Sequence, residues 1–457
     1  MGSDEQQKMV TTGRKLSVRV PLNSYVTAFM VGSFFAGLFV YLEFDRFAYS
    51  MFVLSWVVVP LFAFSDRLVF DGKRIRRTGI LPRIWAAITG GRSRLRIRDI
   101  EQIDSATLRI IRRGGNAHYR FRTAIRGRDE LFVITSGGSD HRELLTAILS
   151  SVPNEVLDQR SIDLRDYLAD PKEVAMKASF SRIPEADVLE STLFSRPVSR
   201  KAIQIGTDEE SDSEELRMLG NELRVAGRIH QSLEVFRRAF HRERANAHLY
   251  FDLARCLFVM AGIRRDSKLH RRSVAALRLA ERHSQNDGNL LARLGETYFQ
   301  LGDIKRATTA FLNAIEKGSG YLGSRGLAEI ALREGKLAHV VHQFSSAHEN
   351  AESRAAKRFS QSEADYFSNL TSDSEYMDLE VHRVNLVNSL STAGRTALTV
   401  TLFGLIPLIF GLVADDSLLA DIGWAVSGLA LIIWCVLKVV CRMLASRIPY
   451  DIAATDN

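Results

Sequence analysis

The chain has 457 residues, a formal net charge of +8 and a hydrophobic fraction of 46%. This length exceeds one ordinary domain, and the composition is that of a folded protein rather than of a disordered one. The three cysteines, Cys256, Cys435 and Cys441, lack the spacing of a metal knuckle or a redox motif, which argues against a disulfide framework and favours a reducing compartment for the soluble part.

The N-terminal segment does not have the pattern of a cleavable signal peptide. Residues 1–23 are polar, and the apolar run behind them is followed by a second apolar run rather than by a small-residue cleavage site. We therefore expect a retained membrane anchor, preceded by a cytoplasmic segment at residues 1–24.

Four apolar runs occur in two closely spaced pairs, and their only charged residue is Lys438, near the end of the fourth run. The first pair covers residues 25–42 and 47–64, and the second covers residues 396–413 and 423–440. Each run approaches the ~20 residues that a membrane helix needs. The sequence therefore predicts two transmembrane helical hairpins, residues 25–64 and 395–441, although buried helices of a soluble core are the alternative.

Basic residues flank the outer ends of both hairpins, while the intervening loops are acidic or nearly neutral. Positive residues stay on the cytoplasmic side of a membrane. We expect an integral protein of a bacterial inner membrane, with both termini, including the tail at residues 442–457, and the long middle region in the cytoplasm. The flanking residues that carry this prediction are Lys8, Arg14, Lys15, Arg19, Arg67, Lys73, Arg74, Arg76, Arg77, Arg395, Lys438, Arg442 and Arg447.

Residues 65–152 show short alternating apolar stretches separated by turn signals. Asp71-Gly72 and Gly114-Gly115-Asn116 are typical of hairpin turns, and an amphipathic helix is predicted from about Asp140 to Ser151. Together with the preceding hairpin, the segments Arg77-Thr78-Gly79-Ile80 and Ile97–Ile103 resemble those of bacterial pleckstrin-homology-like (PH-like) membrane proteins. The resemblance implies a small curved sheet with one closing helix.

This β-rich segment also contains a basic cluster. Basic residues just cytoplasmic of a membrane helix attract anionic lipid, but they also serve as a solvated face and as topology determinants. Nucleic acid is not expected, because no aromatic residues alternate with the basic ones. The candidate membrane-surface residues are Lys73, Arg74, Arg76, Arg77, Arg94, Arg96 and Arg98.

Residues 153–213 have no sustained periodicity and are predicted to be a linker. Four prolines interrupt them, and an acidic stretch at residues 207–215 ends the segment. Short helices are expected near residues 154–168 and 185–193.

The middle region contains a repeated pattern of small and large residues. Leu219-Gly220, Gly227 and Phe236 recur with the same spacing as Leu294-Gly295, Gly302 and Phe311. Two degenerate units lie between and after them, and an insertion is expected near residues 263–269. The pattern resembles the tetratricopeptide repeat (TPR), which implies an α-helical solenoid at residues 214–347, followed by capping and connector helices at residues 348–394.

By the repeat pattern, the first helix of each unit lines a concave groove. A groove with arginines and aromatic residues suits a protein partner. The alternative is that the chain's own linker or final helix fills the groove. The candidate partner-binding residues are Arg217, Asn221, Arg224, Phe251, Arg255, Phe258, Glu296 and Phe299.

No catalytic or cofactor motif is found. The sequence has no P-loop, nucleophile elbow or zincin motif, and His339 and His342 lack a third metal ligand nearby. We therefore expect a multidomain membrane protein that acts as a non-catalytic, membrane-anchored scaffold and needs no cofactor or metal. The alternatives are a lipid-sensing or structural protein that acts through the basic PH-like domain, and an accessory subunit of a membrane enzyme or transport complex.

Overall fold

The computed structural model describes residues 15–89, 94–113, 116–127, 130–135, 139–186, 188–189, 213–284 and 286–444. The chain forms two compact units. The first comprises the described residues of 1–20, 68–77 and 91–364, and the second those of 21–67, 78–90 and 365–457.

Two small sheets and one helix begin the first unit. One sheet has the strand order β1-β2-β3-β4, and the other has the order β5-β6-β7. The strands are β1 (Leu16–Arg19), β2 (Arg67–Phe70), β3 (Arg74–Thr78), β4 (Arg94–Arg96), β5 (Ile100–Arg113), β6 (Asn116–Gly127) and β7 (Leu131–Thr135). The helix is α4 (Ser139–Ser150), which lies within one residue of its predicted bounds.

Alternation along these strands sends apolar side chains into one core. Ile75 and Leu95 are buried as opposite neighbours on β3 and β4, while the residues on either side of them are exposed. The apolar face of α4, including Leu144 and Ile148, closes this core. Period-two alternation in strands and a 3.6-residue period in the helix explain why these residues are inside.

Three features of this part were not given by the sequence prediction. Residues 16–19, within the expected polar N-terminal segment, form strand β1, and a helix, α3 (Ile80–Thr89), separates β3 from β4. The strands also divide between two sheets, not one. The turn at Gly114-Gly115 lies outside the described residues. The PH-like resemblance stays a prediction.

The described first part of the predicted linker is helical and packed. It contains α5 (Gln159–Tyr167) and α6 (Pro171–Phe180). Leu164 of α5 belongs to the same apolar core as the two sheets, and Val174 of α6 packs with the first helices of the array below. The remainder of the expected linker, including the acidic stretch up to residue 212, lies outside the described residues.

Four antiparallel helix pairs and a capping helix make up the rest of the first unit. Their ranges agree with the predicted repeats. The pairs are α7 (Ser213–Val225) with α8 (Ile229–Arg242), α9 (Ala247–Arg264) with α10 (Ser267–His283), α11 (Gly288–Gln300) with α12 (Ile304–Glu316), and α13 (Gly320–Arg333) with α14 (Leu337–Asn350), followed by α15 (Arg354–Ser372).

Glycine permits the close contact of paired helices in this array. A Cβ atom at Gly220 would lie 2.6 Å from the ring of Phe236, and one at Gly295 would lie 2.7 Å from the ring of Phe311. Each ring therefore fills the space that the missing side chain leaves. This interlock is the packing that the small-and-large sequence pattern predicted.

The second pair is longer than the others and turns differently. Helices α9 and α10 have 18 and 17 residues, compared with 13 and 14 in α7 and α8. The predicted insertion thus extends two helices and does not form a loop. The first, third and fourth pairs turn through glycines with positive φ, whereas Arg265 takes the left-handed conformation in the second pair, with φ 53°.

The second unit contains four helices that are long and apolar enough to cross a membrane. They are α1 (Asn23–Tyr41), α2 (Asp45–Ser65, with one π-helical turn at Leu54–Val58), α16 (Ser374–Ala414) and α17 (Ser417–Leu444). They match the four predicted apolar runs. The predicted connector helix is continuous with the third run in α16.

Small residues line the contact between α16 and α17. A Cβ atom at Gly411 would lie 2.3 Å from the backbone of Ala420, and one at Gly423 would lie 2.4 Å from the backbone of Leu408. Such close backbone approach is typical of helix packing in membranes.

Candidate functional site

The predicted groove residues lie on three helices, as expected. Helix α7 carries Arg217, Asn221 and Arg224, helix α9 carries Phe251, Arg255 and Phe258, and helix α11 carries Glu296 and Phe299. Most of them already have partners within the chain. Of these eight, only Phe258 is an exposed large apolar side chain, with 46% of its surface accessible.

Asp163 of α5 is the centre of these contacts. Arg255 binds its carboxylate through both terminal nitrogens, with Nη1 donating to Oδ1 at 2.8 Å. Arg224 Nη1 donates to Asp163 Oδ2 at 3.2 Å. All three side chains are buried or nearly so, so the groove arginines bind a segment of their own chain. These contacts favour the alternative given from the sequence, in which the chain's own linker fills the groove.

The charges of the two arginines govern the ionisation of Asp163. Burial alone would raise the pKa of its carboxyl group, but the adjacent Arg224 and Arg255 guanidinium groups hold that pKa below its ordinary value. A buried pair of this kind costs desolvation energy that its hydrogen bonds offset. The cluster therefore fixes α5 in place while both charges are present.

A second acid extends the network toward the start of the array. Asp252 Oδ2 accepts hydrogen bonds from Arg217 Nη1 and Asn221 Nδ2, each at 2.6 Å. Arg217 also binds Glu214 through two nitrogens. These contacts leave the side chains of Arg217 and Asn221 engaged inside the protein.

The N-terminus of α5 is anchored to β5 by a buried carboxyl group. Asp158 caps the helix by accepting from Ser161 N at 2.9 Å, and it also accepts from Ser105 N at 3.3 Å. Burial, together with the nearby charges of Asp104 and Glu296, raises the pKa of Asp158 to about 7. The ionisation of this group is therefore coupled to the docking of α5.

A cavity of about 610 Å³ remains between α5, the β5–β6 hairpin and helices α7, α9, α10 and α11. Phe121, Phe258 and Leu277 contribute apolar wall, and four arginines and one aspartate line it. Tyr119 also lines it, and its hydroxyl is buried without a hydrogen-bond partner among the described residues.

The predicted membrane-surface cluster contains a ladder of like charges. Arg74 lies opposite Arg96, and Arg76 lies opposite Arg94, in the antiparallel register of β3 and β4. All four are exposed, and none makes an ion pair with a described residue. Directly opposed like charges destabilise a sheet, so this face is suited to an anionic ligand. Lys73 lies in the preceding turn, Arg77 lies near the end of β3, and Arg98 lies in the 3-10 turn Ile97–Asp99 that follows β4.

A second basic surface, on α10, was not predicted. We call Lys268, Arg271, Arg272, Arg278 and Arg282 the basic stripe. These residues follow a helical period along about 21 Å of α10, all are exposed, and none has an ion pair within the described part of the chain. The one acidic residue of α10, Glu281, instead accepts from the Tyr298 hydroxyl at 3.0 Å. The i, i+3, i+4 spacing of cations in the sequence could have identified this surface.

Metal-binding clusters are absent from the described residues. No group of three or more histidine, cysteine, aspartate or glutamate side chains there has the geometry to hold a metal ion.

The solved structures to which the chain is similar include a TPR protein. This is a thermophilic TPR protein of Thermus thermophilus, with a TM-score of 0.29 and 20% identity over 42% of this chain and 96% of that one. The chain is also similar to MamA, with a TM-score of 0.28 and 18% identity over 41% of this chain and 98% of that one. For the APC/C hetero-tetramer Cut9–Hcn1 the TM-score is 0.31 and the identity 13%, over 65% of this chain and 52% of that one.

Neither the family models nor the curated proteins gave a match to the sequence. The architecture of the array, stacked helix pairs, is therefore defined by the contacts between its own helices.

Proposed function

We propose that the chain is a membrane-anchored scaffold that recruits an acidic protein partner through its helix-pair array. Four helices of membrane-spanning length provide the anchor. Stacked helix pairs expose a long surface on which a partner can dock.

The observation that carries the proposal is the basic stripe of α10. Five cations stand on one face of one helix without a counter-charge among the described residues. A row of unpaired, exposed charges contributes nothing to folding, but it steers and orients an oppositely charged partner. The face contains Ala275 between the cations and no aromatic residue, which favours a protein surface over a single-stranded nucleic acid.

The predicted groove is a weaker docking surface. Its arginines at positions 224 and 255 are bound to Asp163, and Arg217 is bound to Asp252 and Glu214. A partner using these residues would first have to displace α5. The basic stripe requires no such displacement.

The test is a cross-linked pull-down of the full chain from native membranes, read by mass spectrometry. Wild type is compared with the variant Arg271→Glu, Arg272→Glu. The matched control is Lys305→Glu, Lys317→Glu, which makes the same charge change at exposed positions on and after α12.

We expect a defined acidic protein with wild type and with the control, and its loss with the stripe variant. Recovery of the same proteins from all three chains would refute the proposal. Recovery of anionic lipid or nucleic acid alone, lost in the stripe variant, would replace the protein partner with that ligand.

A second candidate function is contact of the β3–β4 face with anionic lipid. The observation that favours it is the opposed pair of arginine rows, whose mutual repulsion an anionic headgroup would relieve.

This role is tested by the unfolding temperature of the full chain in nanodiscs. Anionic lipid should raise the unfolding temperature of wild type, and it should raise that of Arg74→Ser, Arg94→Ser less. In neutral lipid the variant should be at least as stable as wild type. An equal response of both chains to anionic lipid would exclude this role.

A further inference from the structure

The cavity beside α5 has the dimensions of a ligand site. Protein interiors are packed closely and rarely leave voids larger than a water molecule, whereas pockets for small organic molecules measure ~300–1,000 Å³. At about 610 Å³ this cavity lies within that range. Its walls come from separate elements of the first unit, so it is a product of the tertiary fold.

The lining combines apolar and basic side chains. Phe121 of β6, Leu164 of α5 and Leu277 of α10 supply apolar surface, and Phe258 adds a half-exposed ring. The charged residues of the lining are four arginines, at positions 160, 224, 255 and 265, and a single acid, Asp163. Asp163 binds Arg224 and Arg255, so Arg160 and Arg265 have no acidic partner in the lining.

Arg160 and Arg265 are exposed and make no ion pair with any residue that the structure describes. Arg265 takes a left-handed conformation at the position where the three other helix pairs turn through glycine. A non-glycine residue in this region is uncommon and is often retained for function. An arginine at this turn brings its charge to the cavity lining.

We propose that this cavity binds an amphipathic organic anion, a carboxylate with an aliphatic or aryl body. The apolar body packs against Phe121, Leu277 and Phe258. The carboxylate lies near Arg160 and Arg265. A fatty acid from the membrane and a soluble aryl carboxylate share this chemistry.

The experiment titrates the fluorescent carboxylate dansylaminoundecanoate into the full chain in phosphatidylcholine nanodiscs, with empty nanodiscs as the blank. Its uncharged amide is titrated in parallel. We expect saturable fluorescence enhancement with the carboxylate, and binding of the amide at least about threefold weaker, which corresponds to the loss of one weak ion pair.

Substitutions at Gly262 test whether the probe enters the cavity. Gly262 lines the cavity on α9, and nothing lies within 4 Å of where its Cβ would be. Gly262→Phe should fill the space and abolish saturable binding, whereas Gly262→Ala should retain it. Saturable binding that persists in Gly262→Phe, or its absence from wild type, would overturn the proposal.

Charge variants test the polar contacts. Arg160→Gln with Arg265→Asn should weaken binding of the carboxylate several-fold, since asparagine tolerates the left-handed turn, while Lys305→Gln with Lys317→Gln should not. Equal affinity for the amide and the carboxylate in wild type would overturn the anionic part of the proposal.

Competition identifies the source of the ligand. Displacement of the probe by oleate alone assigns a membrane-derived acid, and displacement by phenylbutyrate alone assigns a soluble one. Failure of both to displace it would contradict the proposal. Because the basic stripe does not line the cavity, this result is independent of the pull-down.

Discussion

Arg255 of α9 binds Asp163 of α5 through both of its terminal nitrogens. The two residues are 92 positions apart in the chain, and one belongs to the helix-pair array while the other belongs to a segment with no repeat pattern. Their contact, with Arg224 on the same carboxylate, holds α5 against the first helices of the first two pairs.

Removing the charge of Asp163 should release α5. Asp163→Asn removes the carboxylate that Arg224 and Arg255 share and leaves Arg255 only the more distant Asp252, at 4.0 Å. Breaking a buried pair in this way costs about 3–5 kcal/mol. We expect amide hydrogen exchange in α5 and α9 of the full chain to accelerate strongly.

Asp166→Asn is the matched control, because Asp166 lies on the same helix but is exposed and pairs only with its neighbour Arg165 among the described residues. Replacing Asp163, Arg224 and Arg255 together with leucine or methionine should cost less than Asp163→Asn alone. Unchanged exchange in Asp163→Asn would show that the ion pairs do not hold α5.

The stability of the first unit should depend on pH through Asp158. Its pKa is about 7 in the folded protein, compared with about 3.9 in an unfolded chain. The folded state therefore binds the proton more tightly, and the contribution of this group to stability falls as pH rises from about 4 to about 7. Asp158→Asn removes the dependence and keeps a good helix cap. Relative to wild type, this variant should be more stable at pH 8 than at pH 5.

Thermal unfolding followed by circular dichroism measures this difference in the full chain. Groups whose pKa is lowered rather than raised, such as Asp163, are present in both chains. Their contributions to the pH dependence of stability therefore cancel in the comparison. Asp158→Ala should show the same pH trend with an added loss of about 1 kcal/mol from the missing cap. A variant whose stability tracks wild type at both pH values would rule out the coupling.

Local sequence signals were sufficient for the helix pairs that repeat and for the helices of membrane-spanning length. The spacing of Gly220 with Phe236, and of Gly295 with Phe311, follows from direct contact between adjacent helices, so it is visible in sequence. The apolar runs were equally clear, because runs of this length with so few charged residues are typical of membrane-spanning helices.

Long-range contacts were beyond the reach of these signals. Nothing near Asp163 indicates that it binds Arg224 and Arg255, since the partners are chosen by the tertiary fold. Helix α5 has little apolar periodicity, because its buried residues include Ser161 and Asp163 as well as Leu164. The segment was therefore predicted to be a linker, and the groove residues were predicted without their internal partners.

A pair of glycine substitutions tests the interlock of the array. Gly295→Ala would place a methyl group 2.7 Å from the Phe311 ring, and the resulting overpacking should destabilise the first unit by about 1–3 kcal/mol. Gly262→Ala meets open space in a helix and should stabilise it by about 0.5–1 kcal/mol. Opposite shifts in unfolding temperature are expected. A shift of the same sign in both would contradict the close contact at Gly295.

The orientation of the four candidate spans can be tested by labelling introduced cysteines. Phe44→Cys lies between α1 and α2, Ser417→Cys begins α17, and Ala275→Cys lies on the exposed face of α10. The natural Cys256 is buried, and Cys435 and Cys441 lie within α17, where an impermeant reagent has poor access.

If positive residues set the topology, an impermeant maleimide added to intact spheroplasts should label Phe44→Cys and Ser417→Cys but not Ala275→Cys. Inverted vesicles should give the reverse pattern. Labelling of all three positions from the same side would mean that neither pair of helices crosses the bilayer as a hairpin, and the anchor in the proposed function would then have to be abandoned.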